Sequence, residues 1–298
     1  MKLKRIKDIN ILVVGDIMLD HYICGEVERI SPEAPVPILK VTKEYSMLGG
    51  CGNVIRNIRE VGAAVTCVAA VGMDVAGTAI IQKLMMLDVD SKLIKRSDIV
   101  TTKKTRFVAN MGNTQMFRVD KEDVRYIKSG PLNIGHNYDV IIISDYAKGM
   151  ITSDVMIQLK ELNVPIIVDP KPNNMWLYDN VFMITPNKKE YEEICTSTHH
   201  PFARGIRYIL KTLGKDGMEL MKNKEKIYSV ETIPVDVYNV TGAGDTVVSI
   251  VGLCISMGLE VAPAVKVANK CAQYVVTQPG TSVVPKKMFK NFVKEFNK

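Results

Sequence analysis

The stretch Asn239-Val240-Thr241-Gly242-Ala243-Gly244-Asp245-Thr246 governs how this chain is read. Three small residues precede an acid, and an almost unbroken apolar run follows: Val247, Val248, Ile250, Val251, Leu253, Cys254 and Ile255. Apolar residues on every side of such a run predict a helix buried all round. The glycines then sit at its N-terminus, where unpaired N–H groups and the positive end of the helix dipole attract negative charge. An acid fixed there can take a proton while neighbouring amides hold the charge that develops on a phosphate. The same residues also describe an ordinary tight turn with Asp245 capping the helix. The phosphoryl-transfer reading requires the rest of the chain to supply a sugar pocket and a nucleotide pocket.

With 298 residues and 47% apolar content, the chain has the size and composition of a folded protein with a sizeable core. No apolar run approaches the ~20 residues of a membrane span. The first one, Ile11-Leu12-Val13-Val14-Gly15, is too short for a secretory signal and reads as a buried strand. A cytoplasmic protein without a membrane partner is expected. The net charge of +7 lies at the two ends, +3 within residues 1–8 and +4 within residues 286–298. The body between is balanced, so nucleic acid is not an expected partner. The six cysteines form no Cys-x-x-Cys pair and read as small core residues of a reducing compartment. His199-His200, in a polar connection, reads as a surface loop and not as a metal site.

Strand and helix patterns alternate along most of the chain. Strands are predicted at Ile11–Gly15, Val65–Val71, Val140–Ser144, Pro165–Asp169 and Val181–Thr185, with helices such as Asn53–Val61, Val75–Leu87 and Ser153–Leu162 between them. The last third is helical: the run after Asp245, Val261–Val276, and an amphipathic piece from Lys286. This order predicts an α/β fold, a mainly parallel sheet with helices on both faces, in a single domain over residues 1–298. Two stretches break the alternation: His21–Val27 with Val36–Thr42, and Thr105–Ala109 with Gln115–Val119 around the turn Asn110-Met111-Gly112-Asn113. They predict a small β lid, within residues of about 17–44 and 92–120, over the carboxyl-end crevice where such folds bind ligands. A lid excludes water, which a kinase needs. Its apolar face makes a homodimer through the lid an expectation.

Carboxylates and cations recur at the predicted strand ends. Gly15-Asp16 closes the first strand, with Asp20 four residues on. Gly49-Gly50-Cys51-Gly52-Asn53 leads into a helix and allows close backbone approach to a ligand. Lys104, Arg106, Gln115 and Arg118 project from the second ribbon. Asp145 with Lys148, and Asp169 with Lys171, end two further strands. Carboxylates for hydroxyls and cations for a phosphate suit a phosphorylated polyol, although each is also an ordinary loop cap or surface ion pair. Asn187 and Glu190 lie one turn apart at a helix start. Glu190 can act through water on Mg²⁺ held by nucleotide phosphates, and the pair also fits a capping box.

Taken together, these residues make the chain resemble the ribokinase-like (PfkB) sugar kinases from end to end. Gly49–Asn53, Asn187–Glu190 and Thr241–Asp245 match that family's three motifs in order. Gly15–Tyr22 and Arg29–Pro37 resemble the D-glycero-β-D-manno-heptose 7-phosphate kinases more closely, as do Asp145–Gly149, Asp169–Lys171 and Lys104–Arg106. In many bacteria that kinase is fused to an adenylyltransferase domain, and this chain ends after the kinase, so a stand-alone enzyme is expected. The resemblance implies ATP and Mg²⁺ as cofactors, a sugar phosphate as acceptor and Asp245 as base toward the anomeric hydroxyl. It implies Gly242, Ala243 and Gly244 as anion hole, and Asp16, Gly49, Gly50 and Asn53 as sugar contacts. Thr212, Gly214 and Gly217 are expected to line the nucleotide, with Asn269 near the adenine. For the 7-phosphate, Lys171 and Arg118 rank ahead of Lys148 and Arg106. Two departures stand out. Asn239 replaces an acid that often helps hold a monovalent cation, which leaves that cation open, and Pro201–Gly217 looks short of a whole helix.

Overall fold

The computed structural model describes the chain except residues 1–2, 110–113, 128–129, 197–199, 233–234, 236–237, 239, 279 and 297–298. The turn at Asn110–Asn113, His199 and Asn239 therefore lie outside the described residues.

Strand β1 (Asn10–Gly15) is central because its side chains are apolar on both faces. Ile11 and Val13 join one core with helices α1 (Cys51–Val61), α5 (Ala243–Met257), α6 (Val261–Val276) and α7 (Lys286–Phe296). Leu12 and Val14 point the other way, into a second core with α3 (Ser153–Lys160) and α4 (Lys188–Thr196). β1 pairs in parallel with β4 (Ala64–Gly72) on one side and with β8 (Val140–Ser144) on the other. β5 (Asp90–Arg96) extends the β4 side, following α2 (Val75–Met86), and β9 (Ile166–Asp169), β10 (Met183–Ile184) and β11 (Tyr208–Thr212) extend the β8 side, all in parallel. The antiparallel strands β12 (Met218–Lys222) and β13 (Glu225–Val230) complete a nine-stranded sheet.

The chain leaves β1 first toward β4 and later toward β8, so the strand order reverses at β1 and a crevice opens beyond the carboxyl ends of β1 and β8. Over it lies a separate four-stranded sheet of β2 (Ile17–Ile30), β3 (Pro37–Gly50), β6 (Lys103–Ala109) and β7 (Thr114–Lys121), in the order β3-β2-β6-β7. Its ribbons run longer than their hydrophobic alternation predicts, since β2 and β3 stay paired from Ile30↔Pro37 down to Ile17↔Gly50. Gly49 and Gly50 thus end a strand and lead straight into α1. Conversely, β10 is only Met183–Ile184, shorter than the predicted Val181–Thr185. Residues 201–217 hold a 3₁₀ turn at Pro201–Arg204 and then β11, with no α-helix, as the short spacing implied. The basic end helix buries Phe289 and Val293 and turns its lysines outward.

Candidate functional site

Asp245 lies in the first turn of α5, and Gly242, which caps that helix, has φ +85°. A Cβ on Gly242 would lie 2.7 Å from the Asn53 amide nitrogen, so a larger residue is excluded by both backbone conformation and space. Asp245 is buried, and each carboxylate oxygen accepts a hydrogen bond. Asn53 Nδ2 donates to Oδ2 at 2.8 Å and the Tyr146 hydroxyl donates to Oδ1 at 3.0 Å. Burial raises the Asp245 pKa, while the two donors pull it back down. Burial and the Asp245 charge keep the Tyr146 phenol protonated far above its ordinary range, so it stays a donor. The result is a positioned acid with raised basicity at a helix N-terminus. Of the expected anion-hole amides, Ala243 N–H bonds Val240 O at 3.3 Å.

Two cavities flank the 240–244 turn. One, of about 650 Å³, is lined by Thr212, Gly214, Gly217, Asn269, Ala243 and Gly244 among others, bringing every expected nucleotide residue of that region together. Asn269 is held in place there by donating to Glu231 O at 3.0 Å. The other, of about 750 Å³, lies between the lid and the 278–283 loop and is lined by Tyr22, Arg56, Arg106 and Thr241 among others.

The remaining expected residues divide into two groups. Asp20, buried on the lid, pairs with Arg106 at 2.5 Å. Asp16 and Asp145 each accept hydrogen bonds from other groups of the protein. Asp16 accepts backbone N–H bonds from Tyr146, Lys148 and Met150 at 2.8, 3.0 and 3.1 Å, and burial still pushes it up to about 6. Asp145 is taken by Asn174, Tyr178 and the Ala147 N–H. Both carboxylates shape the 145–150 loop that carries Tyr146. Among the described residues the Asp169 carboxylate accepts a 3.2 Å bond from Thr185, and burial, with the Asp245 and Glu190 charges, pushes it up to about 8.

Asn187 and Glu190 form the reciprocal capping box, with Glu190 N–H to Asn187 Oδ1 at 2.9 Å and Asn187 N–H to Glu190 Oε2 at 3.0 Å. The other Glu190 oxygen binds Lys171, and although burial opposes it, this pairing holds the Lys171 ammonium above its ordinary value. No cluster of three or more ligating side chains occurs among the described residues. With both oxygens engaged, Glu190 fits Mg²⁺ held mainly by nucleotide phosphates and water, and not a dedicated protein cage. Of the cations ranked for the 7-phosphate, each already holds a carboxylate: Lys171 with Glu190, Arg118 with Asp120 at 2.8 Å, Lys148 with Glu122 at 2.8 Å, and Arg106 with Asp20. Lys104 instead lies over the Tyr146 ring, 5.6 Å from its centroid, as does Lys171 at 5.5 Å. Sequence reasoning passed over Tyr146 and Arg56. The one available signal for Arg56 was its place three residues after Asn53, on the same helix face.

The family model for pfkB family carbohydrate kinases matches residues 8–287. The chain belongs to this family. A curated relative, the bifunctional protein HldE of Geobacter metallireducens, is 36% identical over 303 residues, covering 93% of this chain and 61% of its own length. The chain thus spans about three fifths of the curated relatives it matches. Solved structures share the ribokinase-like fold. Escherichia coli phosphofructokinase-2 in complex with potassium superposes with TM-score 0.76 at 16% identity, covering 97% of this chain and 99% of that one. Arabidopsis thaliana ribokinase complexed with ribose and ATP gives TM-score 0.72 at 18% identity, covering 97% and 99%. No described helix is long and apolar enough to cross a membrane.

Proposed function

We propose that this carbohydrate kinase transfers the γ-phosphoryl group of ATP to the anomeric hydroxyl of D-glycero-β-D-manno-heptose 7-phosphate, giving the 1,7-bisphosphate and ADP in the cytoplasm. The observation that carries the transfer step is Asp245, buried in the first turn of α5 and fixed by Asn53 and Tyr146. The acceptor preference is supported by the relatedness to HldE over 93% of this chain.

In this reading the acceptor lies under the lid and the nucleotide in the cavity lined by Thr212, Gly217 and Asn269. The anomeric O–H gives its proton to Asp245 as its oxygen bonds to the γ-phosphorus, and the bond from that phosphorus to the β,γ-bridging oxygen breaks with its electron pair leaving on ADP. First-turn amides of α5 face the transferring phosphoryl group. Glu190 would hold Mg²⁺ through water, and the ion would supply neutralisation of the phosphate charge. Asn53 orients the base, Tyr146 donates to its second oxygen, and the lid excludes water. The lid carries stacked Phe107 and Phe117, 4.3 Å apart, together with exposed Val41 and Val119, an apolar surface that supports a homodimer through the lid.

The test is ADP release by the purified protein with Mg²⁺ and a panel of acceptors. Turnover with heptose 7-phosphate is expected. Turnover confined to ribose, fructose 1-phosphate or a nucleoside overturns the acceptor assignment.

A further inference from the structure

The cavity under the lid contains cations without carboxylate partners. Arg56, on α1, is largely buried, and none of its contacts among the described residues is an ion pair. Its Nη1 donates to Asn53 Oδ1 at 3.1 Å and to Thr281 O at 3.1 Å. Burial lowers its pKa, and the charges of Asp20, Asp245 and Glu60, none of them in an ion pair with it, offset this only in part. Lys43, on β3, likewise has no ion pair among the described residues and lies 5.1 Å from the centroid of the Tyr45 ring. Tyr45 stacks on Tyr22 at 4.9 Å, and Arg106 lies 5.3 Å from the Tyr22 centroid. No aspartate or glutamate is among the described residues lining the cavity.

A partly enclosed space lined by three cations, two of them without an ion pair among the described residues, and by no acid favours an anion. It lies across the 240–244 turn from the cavity assigned to ATP, so it is not a second phosphate site of the nucleotide. Asn53 links it to the reaction centre, since that one side chain accepts from Arg56 and donates to Asp245. An anion on Arg56 and a hydroxyl on Asp245 are thereby set on opposite ends of one small molecule.

We infer that Arg56, with Lys43, forms the subsite for a phosphate monoester already present on the acceptor, and so selects sugar phosphates over free sugars. This assignment rests on the sugar-phosphate kinase reading above. It moves the phosphate contact from Lys171 and Arg118, which are neutralised by their partners, to the cations that lack one.

The test compares kcat/KM for heptose 7-phosphate with that for unphosphorylated heptose, in wild type, Arg56→Met and Arg56→Lys. A charge-assisted hydrogen bond sets the expected scale, so the ratio of the two constants falls on the order of 30-fold in Arg56→Met, mainly through KM. Arg56→Lys restores part of it. Inorganic phosphate competes with the sugar phosphate in wild type and loses that competition in Arg56→Met. An unchanged ratio, with both acceptors affected alike or not at all, overturns the subsite. Should Arg56→Met lose ATP binding and so prove misfolded, Lys43→Met and Arg56→Lys carry the same comparison. Wild type inactive on both heptose acceptors defeats the kinase reading instead. The subsite then stands or falls on calorimetry with inorganic phosphate: binding by wild type that Arg56→Lys weakens supports it, and no binding by wild type removes it.

Discussion

The acceptor side and the nucleotide side of this site are built by different means. Under the lid, buried polar groups stand in fixed pairs: Asp20 with Arg106, and Asn53 and Tyr146 with Asp245. On the other side, the cavity wall mixes glycine turns and apolar side chains with Thr212, Lys215, Asp216, Thr232, Asn269 and Gln273. Paired charges in a low-dielectric space tolerate no missing partner, whereas a backbone-lined wall depends on the course of the chain. Substitutions on the acceptor side should therefore damage catalysis, and those on the nucleotide side should act through conformation.

The largest effect is expected at the junction of the two. Asp245→Asn removes the proton acceptor while keeping the side chain's shape, and kcat should fall by about 10²–10⁴-fold. Calorimetry should find acceptor affinity little changed, and a kcat near wild type would exclude Asp245 as base. Tyr146→Phe comes next. The Tyr146 hydroxyl lowers the Asp245 pKa, so its loss should move the acid limb of the kcat/KM profile to higher pH and reduce kcat about tenfold. A reduced rate with an unmoved limb would make Tyr146 a packing residue only.

On the nucleotide side, Gly217 has φ +89°, and a Cβ there would lie 2.0 Å from Val230 O. Gly217→Ala should cost on the order of 1–3 kcal/mol in strain and raise the KM for ATP more than that for the acceptor. Equal changes in both would blur the division between the two sides. A further effect is thermodynamic. The folded pKa of Asp169, about 8, lies well above the unfolded value near 4. Between those values the folded protein holds a proton that the unfolded chain does not, so stability falls as pH rises through this window and levels off above it. Asp169→Asn should flatten that part of the Tm-against-pH curve, and curves that stay parallel would contradict the raised pKa.

The turn before Asp245 and the Asn187–Glu190 cap were legible in the sequence because their signals are local. A glycine run at a helix start and an Asn187–Glu190 capping spacing are set by neighbours a few residues away. The acceptor side was only half legible. Asp16 and Asp145 have the strand-end position of sugar ligands, but the Tyr146, Lys148 and Met150 amides that bond Asp16, and the Asn174 and Tyr178 side chains that bond Asp145, lie far along the chain from them. Arg56 resembles a solvated helix charge until the 278–283 loop and the lid close over it. The lid ribbons ran longer than their alternation implied because backbone pairing continues past the apolar pattern to Gly50.

The most direct test of the account is ³¹P NMR of the product formed by wild-type protein from ATP, Mg²⁺ and heptose 7-phosphate. A new phosphate resonance coupled to the anomeric proton, with the 7-phosphate resonance retained, is predicted. ATP consumed without an anomeric phosphate, or phosphorylation at another hydroxyl, would contradict it.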